Sequence, residues 1–242
     1  MPNQIELSII ILCYRSEEAI IEFADRTRKL AEELTKNFEI ILVANYFEDS
    51  GDRTGDVVKE IAAQNNRYKV VCKPKKGMMG WDMKEGLDSA SGKYLCVIDG
   101  DGQFPIESIA HCFREIKTGK YGLVKTYRSK RNDGVYRRLI SGVYNILFSI
   151  LFPGIGSKDA NSKPKMISRE AFEQMDLHSD DWFIDAEIMI NVRRLKISFL
   201  EFPVEFEELK GRASFVKFGA IFEFVRNLIS YRFNEFRSLK DE

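Results

Sequence analysis

Two aspartates separated by one glycine, Asp99 and Asp101, end an apolar run in the stretch YLCVIDGDGQFP, Tyr94 to Pro105. Neighbouring carboxylates at the end of a buried strand repel each other unless a positive group stands between them. Carboxylate oxygens are hard ligands for Mg2+ or Mn2+. An ion held by one or two carboxylates, with phosphates and water completing its shell, is the usual arrangement with a nucleoside diphosphate. Gln103 offers a neutral carbonyl oxygen two residues on, and reads either as a third ligand or as a surface turn residue. The same triplet also arises by chance as a solvated Asp/Gly turn, so the elements around it decide its meaning.

Those elements alternate. IELSIIILCY is a buried strand, followed by a helix with Ser16 as N-cap and Ile20, Phe23, Ala24, Leu30, Ala31 and Leu34 on one face. FEIILVAN is a second strand, a turn-rich loop leads into the helix VVKEIAAQ, and YKVVCKP is a third strand. KKGMMGWDMKEGLDSAS is a glycine-rich loop entering a short helix, and KYLCVIDGDG is the fourth strand. This order predicts an α/β fold with a Rossmann-like, mostly parallel sheet flanked by helices. Ligands of such sheets bind beyond the carboxyl ends of the strands. Asn45, Lys73 to Gly77, and Asp99 to Gln103 all fall at such ends. After the fourth strand the pattern is less regular: a helix in IESIAHCFREIKTG, strands in YGLVKTYRS and ISFLEFPVEF, an apolar helix near Leu139 to Phe152, and a C-terminal helix in AIFEFVRNLISYRFNEFR.

The 242 residues include 44% hydrophobic and 31% charged, a globular composition. Thirty-seven basic residues balance thirty-seven acidic ones, which gives no support for nucleic-acid binding. Cys13, Cys72, Cys96 and Cys112 form no CxxC pair and read as reduced thiols of a cytoplasmic protein. No signal peptide is seen. The longest membrane-like segment, Leu139 to Gly156, is too short and interrupted for a span. His111 and His178 lack ligand-like company.

Several ordered segments resemble family 2 glycosyltransferases of the nucleotide-diphospho-sugar transferase (GT-A) fold. The nearest branch is the dolichol-phosphate mannose synthase-like one, which transfers a sugar to a polyprenyl phosphate. SIIILCYRSEEAI matches the family opening, and DGDGQFP matches its DADxQHPP segment. VKTYRS, YRRLIS, KDANS, FIDAEI, EFPVEF and a final GRAS follow in family order. The resemblance covers nearly the whole chain. It implies a GT-A domain over 1–218, with a C-terminal amphipathic helix over 219–242.

The resemblance also implies roles. Asp99 and Asp101 would face the nucleotide sugar and hold Mg2+ or Mn2+, assisted by Gln103. Donor contacts would come from Cys13, Tyr14, Asn45, Lys76, Gly77, Asp82, Asp99, Gly100, Arg128 and Arg212. Arg128, Arg138 and Ser162 would meet an acceptor phosphate, while Lys130, Arg131 and Arg137 read as a solvated charged loop. Asp159, Asp185 and Glu187 are the catalytic carboxylates beyond the DxD pair. They would serve as general base for a hydroxyl acceptor or orient the sugar or metal. A phosphate acceptor is already anionic and needs no base. Trp182 and Phe183 would stack on a sugar or belong to the core. Two departures stand out. Ala44 and Asn45 occupy the turn where the family has aspartate, leaving Asn45, Glu48, Asp49 or Asp52 to meet the base. The terminal loop reads GRASFVK, with Arg212, Ser214 and Lys217, instead of RGESK.

The expectation is therefore a metal-dependent, inverting glycosyltransferase using a nucleotide-diphosphate sugar. The acceptor is a polyprenyl phosphate, with a growing glycan as the alternative; a binding protein without turnover is the competing class. Apolar residues beside arginines in the last helix suit peripheral attachment at the cytoplasmic membrane face. The sequence is compatible with an oligomer and names neither sugar nor base.

Overall fold

The computed structural model describes residues 4–131, 142, 146–206 and 226–233. Four parallel strands, β1 (Leu7–Leu12), β2 (Phe38–Val43), β3 (Tyr68–Val71) and β4 (Tyr94–Asp99), form one side of the sheet. Helices α1 (Ala19–Leu34), α2 (Thr54–Gln64) and α3 (Met79–Asp88) connect them. After α4 (Ser108–Ile116) come β5 (Leu123–Arg131), β6 (Lys165–Ser168), α5 (Arg169–Glu173), α6 (Ile184–Arg194) and β7 (Phe199–Phe206). The seven strands lie in the order β3-β2-β1-β4-β6-β5-β7. β6 is antiparallel to both β4 and β5, and β5 pairs in parallel with β7.

Residues of β1 and β2 are buried on both faces, as continuous apolar runs require. Ile9, Ile11, Ile40, Leu42, Cys96 and Ile98 meet α1, α2 and α4 on one face. Ile10, Ile41, Val43, Leu95, Val97 and Ile167 meet α3 and α6 on the other. Helical stretches at 146–151 and 226–233 join this second layer through Phe148, Phe152, Leu228 and Tyr231.

Ser16 is not the N-cap of α1. The helix begins at Ala19, with Glu18 in the cap position and no side-chain cap bond. The preceding turn is held by the loop entering α2 and its first residue instead: Arg15 N donates to Asp52 Oδ2 (3.3 Å) and Glu17 N to Thr54 Oγ1 (2.9 Å), with both Arg15 and Glu17 at positive φ.

Candidate active site

The sheet face covered by α3 and α6 changes character toward its C-terminal edge. Side chains two apart on a strand share a face, so Leu95 and Val97 lead to Asp99 on β4, Ile167 leads to Lys165 on β6, and Leu123 leads to Lys125 on β5. Val97 pairs with Lys165, which pairs with Lys125. Two residues before β6, Lys163 reaches the end of β4, its Nζ 3.4 Å from Asp99 Oδ1. A positive group does stand beside the paired carboxylates, and the protein supplies it.

Lys163 is locked in place. Its side chain is 2% exposed, and Nζ also lies 3.0 Å from Asp185 Oδ2 and 3.3 Å from Met79 Sδ. Asp185 Oδ1 receives Lys165 Nζ at 2.5 Å. Burial works against the Lys163 charge, but Asp185 and Asp99 outweigh it and raise the ammonium above its ordinary range. Burial would raise the Asp185 carboxyl, yet the two lysines hold it below its usual value. Lys165, with one carboxylate shared between two cations, is pushed down by burial to about 8. Lys125 is fully buried as well, donating to the Asp159 carbonyl (2.6 Å) and pairing with Glu201 (3.3 Å).

The turn after β4 is shaped by glycine. A Cβ on Gly100 would meet Ile20 Cδ1 at 2.7 Å and Ile11 Cγ2 at 3.0 Å, so this residue lets the turn sit on α1 and β1. Gly102 adopts φ +74°, and Asp101 Oδ1 accepts the Gln103 amide at 3.1 Å. Asp99 keeps 27% of its side chain exposed, and Asp101 and Gln103 are half-buried. The corner therefore presents hard oxygen atoms at the sheet edge. No set of three or more His, Cys, Asp or Glu side chains converges on a metal position among the described residues.

At the ends of β1 to β3 a second cluster forms. Asn45 is fully buried: its Nδ2 donates to Asp82 Oδ1 (3.0 Å) and its Oδ1 accepts Lys73 N (3.0 Å). Asp82 also pairs with Lys75, whose side chain is 3% exposed. Burial outweighs Lys75 and raises the Asp82 carboxyl. Lys75 Nζ lies 4.2 Å from the centre of the Tyr14 ring, and Phe47 meets Tyr14 edge-on. Tyr14 is half-buried, with Arg15 as well as Lys75 over its ring, whereas Cys13 is sealed, its thiol turned to the Ile11 carbonyl and pushed up by burial. Lys76 is exposed near Trp81. Gly77 admits the close approach of the segment 179–181: a Cβ there would lie 2.6 Å from the Asp180 carbonyl. That segment accepts the amides of Met78, Gly80 and Trp81.

On β5, Arg128 forms a two-point ion pair with Asp159, Nε to Oδ2 at 2.6 Å and Nη2 to Oδ1 at 2.9 Å. Ser162 is fully buried, its hydroxyl 2.7 Å from Thr126 Oγ1. Glu187, also fully buried, accepts the amides of His178 and Ser179 at 2.9 Å each and the Tyr231 hydroxyl. It thus steadies the loop that grips α3. Phe183 is core, against Tyr231; Trp182 is half-buried. His111 packs on Phe202. Arg137, Arg138, Arg212, Ser214 and Lys217, and the side chains of Lys130 and Arg131, lie outside the described residues.

No motif of the sequence gives Lys125, Lys163 or Lys165 a role. The available signal was period two in SKPKMIS and LVKTYRS, where lysine falls in register with apolar residues of one face.

Residues 8–176 match the family model "Glycosyl transferase family 2". A dolichyl-phosphate beta-glucosyltransferase of Trichomonas vaginalis is 26% identical over 244 residues, covering 94% of this chain and 73% of the relative. A dolichol-phosphate mannosyltransferase of Pyrococcus furiosus is 28% identical over 228 residues, covering 92% and 62%. Among solved structures, glucosyl-3-phosphoglycerate synthase of Mycobacterium tuberculosis, crystallised with Mn2+, UDP and phosphoglyceric acid, superposes with a TM-score of 0.71 at 18% identity, covering 94% of this chain and 78% of that one. The sheet order, the helices on both faces and this likeness define a GT-A fold. The chain belongs to glycosyltransferase family 2 and is a glycosyltransferase.

Proposed function

We propose that this chain transfers a sugar, with inversion, from a nucleoside-diphosphate donor to a polyprenyl phosphate, with Mg2+ or Mn2+ as cofactor. The observation that carries the acceptor class is the state of the carboxylates. A hydroxyl acceptor must give up its proton as it attacks the anomeric carbon. Asp185 is closed between Lys163 and Lys165, Asp159 is held by Arg128, and Glu187 is buried against backbone amides. Asp185 and Glu187 are engaged elsewhere, and Asp159 leaves Arg128 only where a phosphate takes its place. An anionic phosphate brings its own nucleophilic oxygen and needs none of them. The names of the relatives, dolichyl- and dolichol-phosphate transferases, point the same way.

The remaining roles follow from position. Asp99 and Asp101, with Gln103, fit a divalent ion by their donor chemistry, and such an ion would stabilise charge on the departing diphosphate. Asp99, held by Lys163 through Oδ1, offers its second oxygen to the ion. Arg128, on a strand that ends at the same sheet edge, would give its planar guanidinium to a phosphate in exchange for Asp159. Tyr14 supplies an aromatic face at the base end, where Asn45 serves as an internal brace.

No helix among the described residues is long and apolar enough to cross a membrane. Membrane contact is proposed through another feature. Ile146 and Ile150 on one helical stretch, and Ile229 and Phe233 on the other, are 61%, 68%, 44% and 65% exposed. Arg232 lies over the Phe152 ring and ties the two stretches together. Paired apolar residues beside arginine suit the lipid headgroup boundary. The deciding experiment supplies UDP- and GDP-sugars with Mn2+ and either a short polyprenyl phosphate or the matching polyprenol. Sugar transfer to the phosphate and not to the alcohol is expected. Equal transfer to the alcohol would remove the argument from the engaged carboxylates.

A further inference from the structure

We propose that Lys163 makes this chain's hold on a divalent ion depend on the diphosphate that arrives with it. The inference rests on the reading of Asp99 and Asp101 as the ion-holding pair and concerns how that pair is tuned. Asp99 and Asp185 face the ammonium groups of Lys163 and Lys165 at this corner, Asp101 follows Asp99 by two residues, and Lys125 beside Lys165 is offset by Glu201. One net negative charge remains. A bare divalent ion therefore meets a corner that is already largely neutralised. It also meets a cation, Lys163, in contact with the first of its prospective ligands at 3.4 Å.

Lys163 cannot swing aside. Asp185 Oδ2 and Met79 Sδ hold its ammonium from behind, and its side chain is 2% exposed. Like charges a few ångströms apart at a protein surface repel appreciably. The negative charges of a nucleoside diphosphate would offset the Lys163 charge, so that Asp99 and Asp101 would hold the ion tightly only together with the diphosphate. Lys163 is a positioning residue in this scheme: it touches Asp99, not substrate, and sets both the orientation and the effective charge of that carboxylate.

The test is a Mn2+ titration of the full chain, with free Mn2+ read by electron paramagnetic resonance. It is run without nucleotide, then with saturating UDP or GDP. Wild-type protein should bind Mn2+ at least about tenfold more tightly with one of the nucleotides. Lys163→Met should bind bare Mn2+ about tenfold more tightly than wild type, whereas Lys163→Arg should behave as wild type. Thermal melts check that each variant is folded. Lys163→Met combined with Asp185→Asn keeps the net charge of the corner and removes the contact with Asp99, so it should bind bare Mn2+ more tightly than wild type but less tightly than Lys163→Met alone. The inference is overturned if wild type binds bare Mn2+ as tightly as it does with nucleotide, or if folded variants lacking the lysine bind it no more tightly. Failure to bind Mn2+ with either nucleotide would instead overturn the ion-holding role of Asp99 and Asp101, and the inference with it.

Discussion

Arg128 and Asp159 face each other through two nearly parallel charge-assisted hydrogen bonds, and both side chains are largely buried. One was expected to bind phosphate and the other to orient or deprotonate a substrate. The structure spends each on the other. Asp159→Ala should therefore destabilise the protein by about 2 kcal/mol, because it strands a part-buried guanidinium. It should also leave Arg128 unopposed and tighten binding of UDP or GDP several-fold. Urea midpoints at constant m-value and nucleotide titrations check the two effects; weaker nucleotide binding in the variant would contradict the exchange of Asp159 for phosphate.

Asp101→Asn should reduce turnover at least about a hundredfold, the scale expected when a bound ion's charge stabilisation is lost. Chelation of divalent ions should silence the wild type, and added Mn2+ should restore it. Release of nucleoside diphosphate from a nucleotide sugar is the readout. Wild-type rates in the Asn variant would displace the centre from the end of β4.

Asp185→Asn should act on the fold first. It leaves Lys163 and Lys165 buried without their shared carboxylate, at a cost of about 3–5 kcal/mol. A role as general base would instead show as lost turnover in a protein of normal stability. Chemical denaturation beside steady-state kinetics separates the two.

Glu39 gives an acid-side prediction. Burial would raise its carboxyl, but Lys69, the Ser8 hydroxyl and the Ser91 amide and hydroxyl hold it below the ordinary value. The folded state therefore binds this proton more weakly than the unfolded chain does. The stabilisation is fully present above the unfolded value of about 4.3 and is lost as pH falls through the lower folded value. Glu39→Gln should flatten the fall of the urea midpoint between about pH 5 and pH 3. An unchanged slope would assign acid sensitivity to other carboxylates.

Ile150→Glu combined with Phe233→Glu should abolish flotation with anionic liposomes while leaving the melting temperature within about 2 °C of wild type, since both side chains are exposed. Flotation that survives both charges would place the membrane contact elsewhere.

Much of the architecture was legible because its signals are local. The buried runs of β1, β2 and β4 and the apolar face of α1 appear as unbroken or periodic hydrophobicity. The position of Asp99 and Asp101 followed from the strand that ends in them. What stayed hidden was non-local. Lys163 and Lys165 look like a solvated pair in SKPKMIS, and only the return of β6 beside β4 and the descent of α6 bring them to Asp99 and Asp185. Asn45 stands in the turn where the resemblance places a base contact, with Glu48, Asp49 and Asp52 as the other candidates, but Asp82 and the Lys73 amide, contributed by later segments, use both ends of its amide. Ser16 failed as a cap because Asp52 and Thr54 claim the neighbouring amides.

The place of β6 in the sheet also orders events in time. Val97 of β4 finds Lys165 of β6 about seventy residues further along the chain, whereas β1 and β2 need only the single helix α1 between them. Loop closure over the longer span costs more entropy, and such pairings form late. The pairing of β4 with β1 also spans a long stretch, Leu7 to Tyr94, so both closures wait on the local pairing of β1 with β2, and until β6 returns the corner that holds Asp99 lacks Lys163. On the ribosome the β1–β4 half is synthesised, and can collapse, before the strand that completes the centre emerges. Pulsed hydrogen exchange during refolding should accordingly protect the amides of β1 and β2 before those of β6, so that competence for donor binding is the last property the folding chain acquires.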